Sequence, residues 1–339
     1  MNQIKKNRNL YIDIVKSFLI ISVVIGHTIV SFFPDNYIYN DIFKLIYSFH
    51  MFLFIFVSAY LVRLVKHEIN FLWLKKRFFR LMIPYIVWTA ILLCIENKFS
   101  LYNYWMLVIK PSFWFLIVLF LYDATYYILN MITKNFDRQI KIILIYIVFI
   151  MFIWFISRNI IENSEILHLY SIYLPEYFAG IFAFTFKEKL IYMIRKYKYI
   201  ILLYPISMLM YTFKDHSRFV DIMQGLLSYV TTYSISSNIF NIMSVLYNHY
   251  LVAPLGMIFW GVILWKLYKL NILGKNFSII GKYTLSIYLI SGFFNHHYVN
   301  CFEIDILISI LMGLLLPIIF DFIMKKIPKI HYIFFGTYK

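Results

Sequence analysis

The sequence predicts an all-α polytopic integral membrane protein with about ten transmembrane helices and both termini cytoplasmic, and three observations predict it. Apolar residues make up 62% of the chain and charged residues only 14%. Mean hydropathy is +0.75, well above that of a soluble domain. The apolar residues come in runs of about 20, the length that crosses a bilayer core as a helix. These runs leave no stretch long and polar enough for a second, soluble domain. Residues 1–339 therefore read as one membrane domain.

The runs fall at 10–33, 42–62, 81–98, 113–132, 142–157, 169–186, 199–213, 249–265, 278–295 and 304–324. The first follows Lys5, Lys6 and Arg8, as the core of a signal peptide would. Its apolar run is span length, lacks a small-residue cleavage site and is followed by more spans, so it reads as retained. The second carries FHMFLFIFVSAYL, and the third follows the basic LKKRFFR. The fourth is PSFWFLIVLF and its continuation, the sixth holds LPEYFAG, and the ninth begins near GKYTLSIYLI. Residues 219–237 are apolar enough for an extra span, but counting it would put Lys266, Lys269, Lys275 and Lys282 outside. Segment 214–248 is therefore expected to be external, interfacial or re-entrant.

Charge fixes the orientation. Of 32 Lys and Arg residues, only Lys44, Lys98, Lys110, Arg158, Lys214 and Arg218 face outward in this arrangement, and Lys16 lies inside the first span. That is the positive-inside pattern. The net charge of +16 is thus topological, and no nucleic-acid partner is expected. Cys94 and Cys301 are single and unpatterned, which indicates neither a metal site nor a disulfide.

Asp13, Lys16 and His27 stand inside the first span. An ionisable group at membrane depth costs roughly 2.5 kcal/mol or more, so each is a functional-site candidate. At about 100° per residue, Lys16 and His27 are offset from Asp13 by only about 60° and 40°. The three share one stripe, which must face protein or water. Lys16 to His27 spans about 16 Å of helix, long enough for a donor with a charged head at one face to reach the other. A neutral imidazole at His27 can take a proton from a hydroxyl and return it; a histidine satisfied between packed helices is the alternative. His50, in the outer half of the second span, is open to both readings.

At the cytoplasmic side, Lys75, Lys76, Arg77 and Arg80 precede the third span. Arg77 and Arg80 share a face and can clamp a phosphate, with Arg8 as a further contributor. Topology alone also requires cations there. Asp123 and Glu176 are intramembrane acids that line a polar path or pair with basic neighbours. Trp114 fits an interfacial aromatic belt, with a cavity wall as the alternative, and His296 and His297 fit an exposed helix end.

Together these segments resemble the membrane-bound acyltransferase family 3, which includes fucose 4-O-acetylase-like and other polysaccharide O-acetyltransferases. The matching pieces are YIDIVKSFLIISVVIGH, SFHMFLFIFVSAYLV, KKRFFRLMIPYIVW, PSFWFLIVLF and GKYTLSIYLI, in the family's order and over most of the chain. Phe52 and Ala59 replace a Pro and a Gly of the family pattern, and Ser291 stands where a His is frequent. The resemblance implies a ten-span enzyme of the cell membrane. It would move an acetyl group from cytoplasmic acetyl-CoA, without a metal, to a hydroxyl of a surface polysaccharide or lipid-linked glycan. It implies His27 as the essential histidine, Asp13 and Lys16 as its polar partners, and Arg77 and Arg80 as donor-binding residues; Arg8 joins them by its position at the base of the first helix. His50 is placed on the acceptor side by its position in the outer half of the second span. No hydrolase-type domain is expected after the last span. The rival reading is a glycan exporter or flippase whose polar stripe is a translocation path, which composition and topology fit equally.

Overall fold

The computed structural model describes residues 9–64, 68–96, 100, 102, 112–132, 165–211, 246–297 and 305–337. Among them the chain is helical, without strands. Six helical stretches are long and apolar enough to cross a membrane: Leu10–Phe32, Asp41–Leu64, Phe71–Ile95, Trp114–Ile132, Leu246–Lys269 and Ile306–Met324. The expected span at 142–157, most of 214–248, Arg8 and Cys301 lie outside the described residues. The chain divides within its third and twelfth helices into two compact units, Met1–Phe54 with Glu188–Ile318, and Ile55–Lys187 with Ile319–Lys339.

The first unit is built on α1 (Leu10–Phe32), an unbroken helix of 23 residues. Asn9 caps it, its side chain accepting from the N–H groups of Tyr11 and Ile12. After α2 (Asp41–Tyr47) comes α3 (His50–Leu64), and against α1 pack α2 and α9 (Ala253–Lys269). So do α10 (Lys275–Ile280) and α11 (Thr284–His297). A Cβ on Gly281, between α10 and α11, would come 2.1 Å from the Asp13 carbonyl oxygen. With hydrogen there instead, the backbones meet. Gly281 N–H donates to Ser17 Oγ at 2.7 Å, and that oxygen lies 2.7 Å from the Phe277 carbonyl oxygen. The expected span at 278–295 is interrupted at this contact. Tyr11 OH donates to the Gly261 carbonyl at 2.8 Å, tying α1 to α9. Phe18, Phe49 and Trp260 fill the space above with rings 4.9–5.8 Å apart.

The second expected span also breaks, between α2 and α3. Ser48 Oγ donates to the Leu45 carbonyl at 2.8 Å, and Phe49 N–H bonds three residues back to Ile46 at 3.3 Å. A serine competing for the backbone in this way bends a helix. In the same unit, α7 (Lys187–Lys196) and α8 (Leu203–Met208) run on from the sixth helix.

The second unit gathers the remainder of α3, α4 (Phe71–Ile95), α5 (Trp114–Ile132) and α6 (Glu165–Thr185). It also holds the end of α12 (Ile306–Met324) and α13 (Pro328–Phe335). The helix α4 begins ten residues before the expected third span, so Lys75, Lys76, Arg77 and Arg80 are helical. Gly336 ends α13 with φ +63°, a conformation that favours glycine, and a Cβ there would meet the Arg80 carbonyl oxygen at 2.4 Å. Trp88 Nε1 donates to the Phe334 carbonyl at 2.9 Å, fixing α13 on α4.

Candidate functional site

The residues on α1 keep the relation that their spacing predicts, because the helix is continuous from Leu10 to Phe32. Asp13 is buried, and Lys16 Nζ lies 3.4 Å from its Oδ1. This pair allows two charges to be carried at membrane depth. His27 lies eleven residues beyond Lys16 and is exposed, whereas its neighbours Gly26 and Thr28 are buried. Among the described residues, none hydrogen-bonds its ring. An accessible imidazole without a partner is free to meet a substrate hydroxyl.

Gly26, beside it, has a packing role. A Cβ at that position would come 2.8 Å from Cε2 of Tyr47, so the glycine lets the Tyr47 ring lie against the α1 backbone. Tyr47 in turn meets His50 edge-on, with ring centroids 4.6 Å apart. The two imidazoles, His27 and His50, are close enough to interact electrostatically. The Gly-His of α1 and the His of α3 are thereby gathered in one unit.

His50 is held differently from His27. It is buried, and its Nδ1 lies 2.8 Å from the Ile46 carbonyl oxygen at the break after α2, which also accepts from Phe49 N–H. A carbonyl only accepts, so this contact assigns the proton to Nδ1 and leaves the lone pair of the neutral ring on Nε2. His50 therefore caps the break and keeps a base available. Tyr47 was not singled out in the sequence, although it lies only three residues before His50.

In the second unit, Arg77 and Arg80 lie one turn apart on α4 and interact electrostatically. Arg77 Nε contacts Asp123 Oδ2 at 2.5 Å, and Tyr177 OH donates to Asp123 Oδ1 at 2.7 Å. Of the two readings for Asp123, pairing with a basic neighbour is the one observed. Arg80 is exposed, with no ion pair among the described residues. Glu176 is buried, and its Oε2 has no hydrogen-bond partner among them, so it does not pair with a cation there. Trp114 stacks on Tyr173, with centroids 5.5 Å apart and planes 13° from parallel. Ser291 is buried in α11, and the side chains of His296 and His297 lie outside the described residues. Among the described residues no group of three or more His, Cys, Asp or Glu is placed to hold a metal ion.

A helical membrane protein with an intramembrane ion pair and an accessible imidazole on one helix is the class that this fold and site define. The acyltransferase 3 family model, described as an acyltransferase domain, matches residues 9–324. The chain belongs to that family and is a membrane acyltransferase. No curated protein and no solved structure matches it.

Proposed function

We propose that the protein is a multi-pass O-acetyltransferase of the cell membrane. It takes the acetyl group of acetyl-CoA at the cytoplasmic face and places it on a hydroxyl of a surface polysaccharide or lipid-linked glycan. The observation that carries this reading is His27, an exposed residue whose imidazole has no hydrogen-bond partner among the described residues, on the same helix as the buried Asp13–Lys16 pair. Membership of an acyltransferase family supports group transfer over glycan export.

In the transfer step, His27 accepts the proton of the acceptor hydroxyl as its oxygen attacks the thioester carbonyl. The carbon–sulfur bond breaks and the imidazolium returns the proton to the departing thiolate, giving the ester and free CoA. Passage of the acetyl group through a covalent intermediate ends in the same products. Asp13 and Lys16 hold the charged part of α1, and His50 Nε2 is a second base on the acceptor side. Arg77 and Arg80 fit a donor phosphate: Arg80 is exposed, and among the described residues Arg77 uses only its Nε. Arg8 is assigned to the same donor by sequence position. The test is release of CoA from labelled acetyl-CoA by the purified protein, with label recovered in glycan. Loss of both in His27→Ala supports the reading, and retention of both in a well-expressed His27→Ala protein overturns it.

A further inference from the structure

We propose that Asp123, braced by Tyr177, is a positioning residue that aims the Arg77 guanidinium at a phosphate of the acyl donor. This rests on the reading of Arg77 and Arg80 as donor-binding residues. Three features of the contact support aiming over mere neutralisation of charge.

The first is the depth of the acid. Asp123 sits midway along α5 and is fully buried, where an unpaired carboxylate is costly. Both of its oxygens are used, each by a different helix: Oδ2 by Arg77 of α4 and Oδ1 by Tyr177 of α6. Tyr177 is itself fully buried, between the rings of Tyr122 at 5.1 Å and Phe178 at 5.8 Å. The carboxylate is therefore fixed in place as well as paired.

The second is the atom of Arg77 that is held. The contact runs through Nε, on the stem side of the guanidinium. No described residue takes Nη1 or Nη2, and neither is buried without a partner. Those two nitrogens form the end of the planar fork that matches a phosphate with two parallel hydrogen bonds. Holding Nε stops the fork from rotating while its working end stays open.

The third is the asymmetry of exposure and charge. The Asp123 side chain is 0% exposed and that of Arg77 is 19% exposed. The cluster is thus closed at the acid and open at the base. One carboxylate stands against two guanidiniums, Arg77 and Arg80, so the open end remains cationic. Arg80, one turn along the same face, has no ion pair among the described residues, so the single carboxylate does not neutralise the cluster.

The purified full-length protein tests this by its binding of acetyl-CoA and of S-acetylpantetheine, which keeps the thioester and arm but lacks the phosphates. Wild type should prefer acetyl-CoA, and Arg77→Ala should lose that preference. Asp123→Asn keeps the shape of the side chain and should weaken acetyl-CoA at least about 10-fold while leaving S-acetylpantetheine within about 2-fold. Tyr177→Phe leaves the ion pair intact and should show the same selective effect at about 3-fold. Damage to packing would weaken both ligands alike, and that result overturns the proposal. If Asp123→Asn is not recovered folded, Tyr177→Phe decides alone. Loss of preference in Arg77→Ala but not in the Asp123 and Tyr177 variants overturns the positioning role and leaves the donor clamp standing. No preference in wild type, or full preference in Arg77→Ala, overturns the clamp itself.

Discussion

His27 and His50 are both imidazoles at membrane depth, but their surroundings give them different sensitivities. The His27 ring makes no hydrogen bond to a described residue, and the residue is exposed. Truncating it to Ala should leave the stability within about 0.5 kcal/mol of wild type, while transfer falls by about 10²–10⁴. A circular-dichroism melt beside a CoA-release assay checks both halves, and a large loss of stability would identify His27 as a packing residue. His50 supports the Ile46 carbonyl, so substitutions there should affect both stability and activity. Asp13→Asn should behave as a stability variant, because it removes the carboxylate paired with Lys16 inside the first span. The expected loss is about 3 kcal/mol, read as a lower melting midpoint and reduced yield. An Asp13→Asn protein that melts like wild type but has lost transfer would instead place Asp13 in the chemistry.

At the scale of elements, much of α1 was legible in the sequence, because a single periodic stripe carries its three ionisable residues. The breaks were not. The expected spans at 42–62 and 278–295 run through Ser48–Phe49 and Gly281, yet the helices stop there for local reasons. One is a serine bonding to the backbone, and the other is a glycine set against the Asp13 carbonyl. The GKYTLSIYLI segment was recognised by resemblance, and the structure gives its glycine a steric purpose. Gly281→Ala should cost about 1–3 kcal/mol, because the atom it strikes is backbone and cannot swing aside. Gly261→Ala is the control: a Cβ there meets nothing within 4 Å, so the midpoint should hold or rise. Equal losses in the two variants would contradict the close-contact account. The partner of Arg77 was equally hidden. Asp123 lies 46 residues away in sequence, and only the packing of α4 on α5 brings the two together.

For the whole molecule, composition and charge pattern gave the membrane class, and the family match agrees with it. Orientation rests on the asymmetry of Lys and Arg, a property of the chain that no single contact reveals. It predicts a labelling pattern for single cysteines introduced where Cys94 and Cys301 have been replaced by Ser. Asp35→Cys, exposed after α1, should react with a membrane-impermeant thiol reagent on intact cells. Lys196→Cys, exposed in α7, should react only after permeabilisation. The reverse pattern would invert the assignment of donor and acceptor sides.

In the proposed function, His27 carries an acetyl group from acetyl-CoA to glycan. The most direct measurement supplies labelled acetyl-CoA to membranes containing wild-type or His27→Ala protein at matched, folded levels, and follows label into polysaccharide. The account predicts that wild type labels the glycan and releases CoA in step, and that His27→Ala does neither above background. Equal labelling by the two proteins would contradict it.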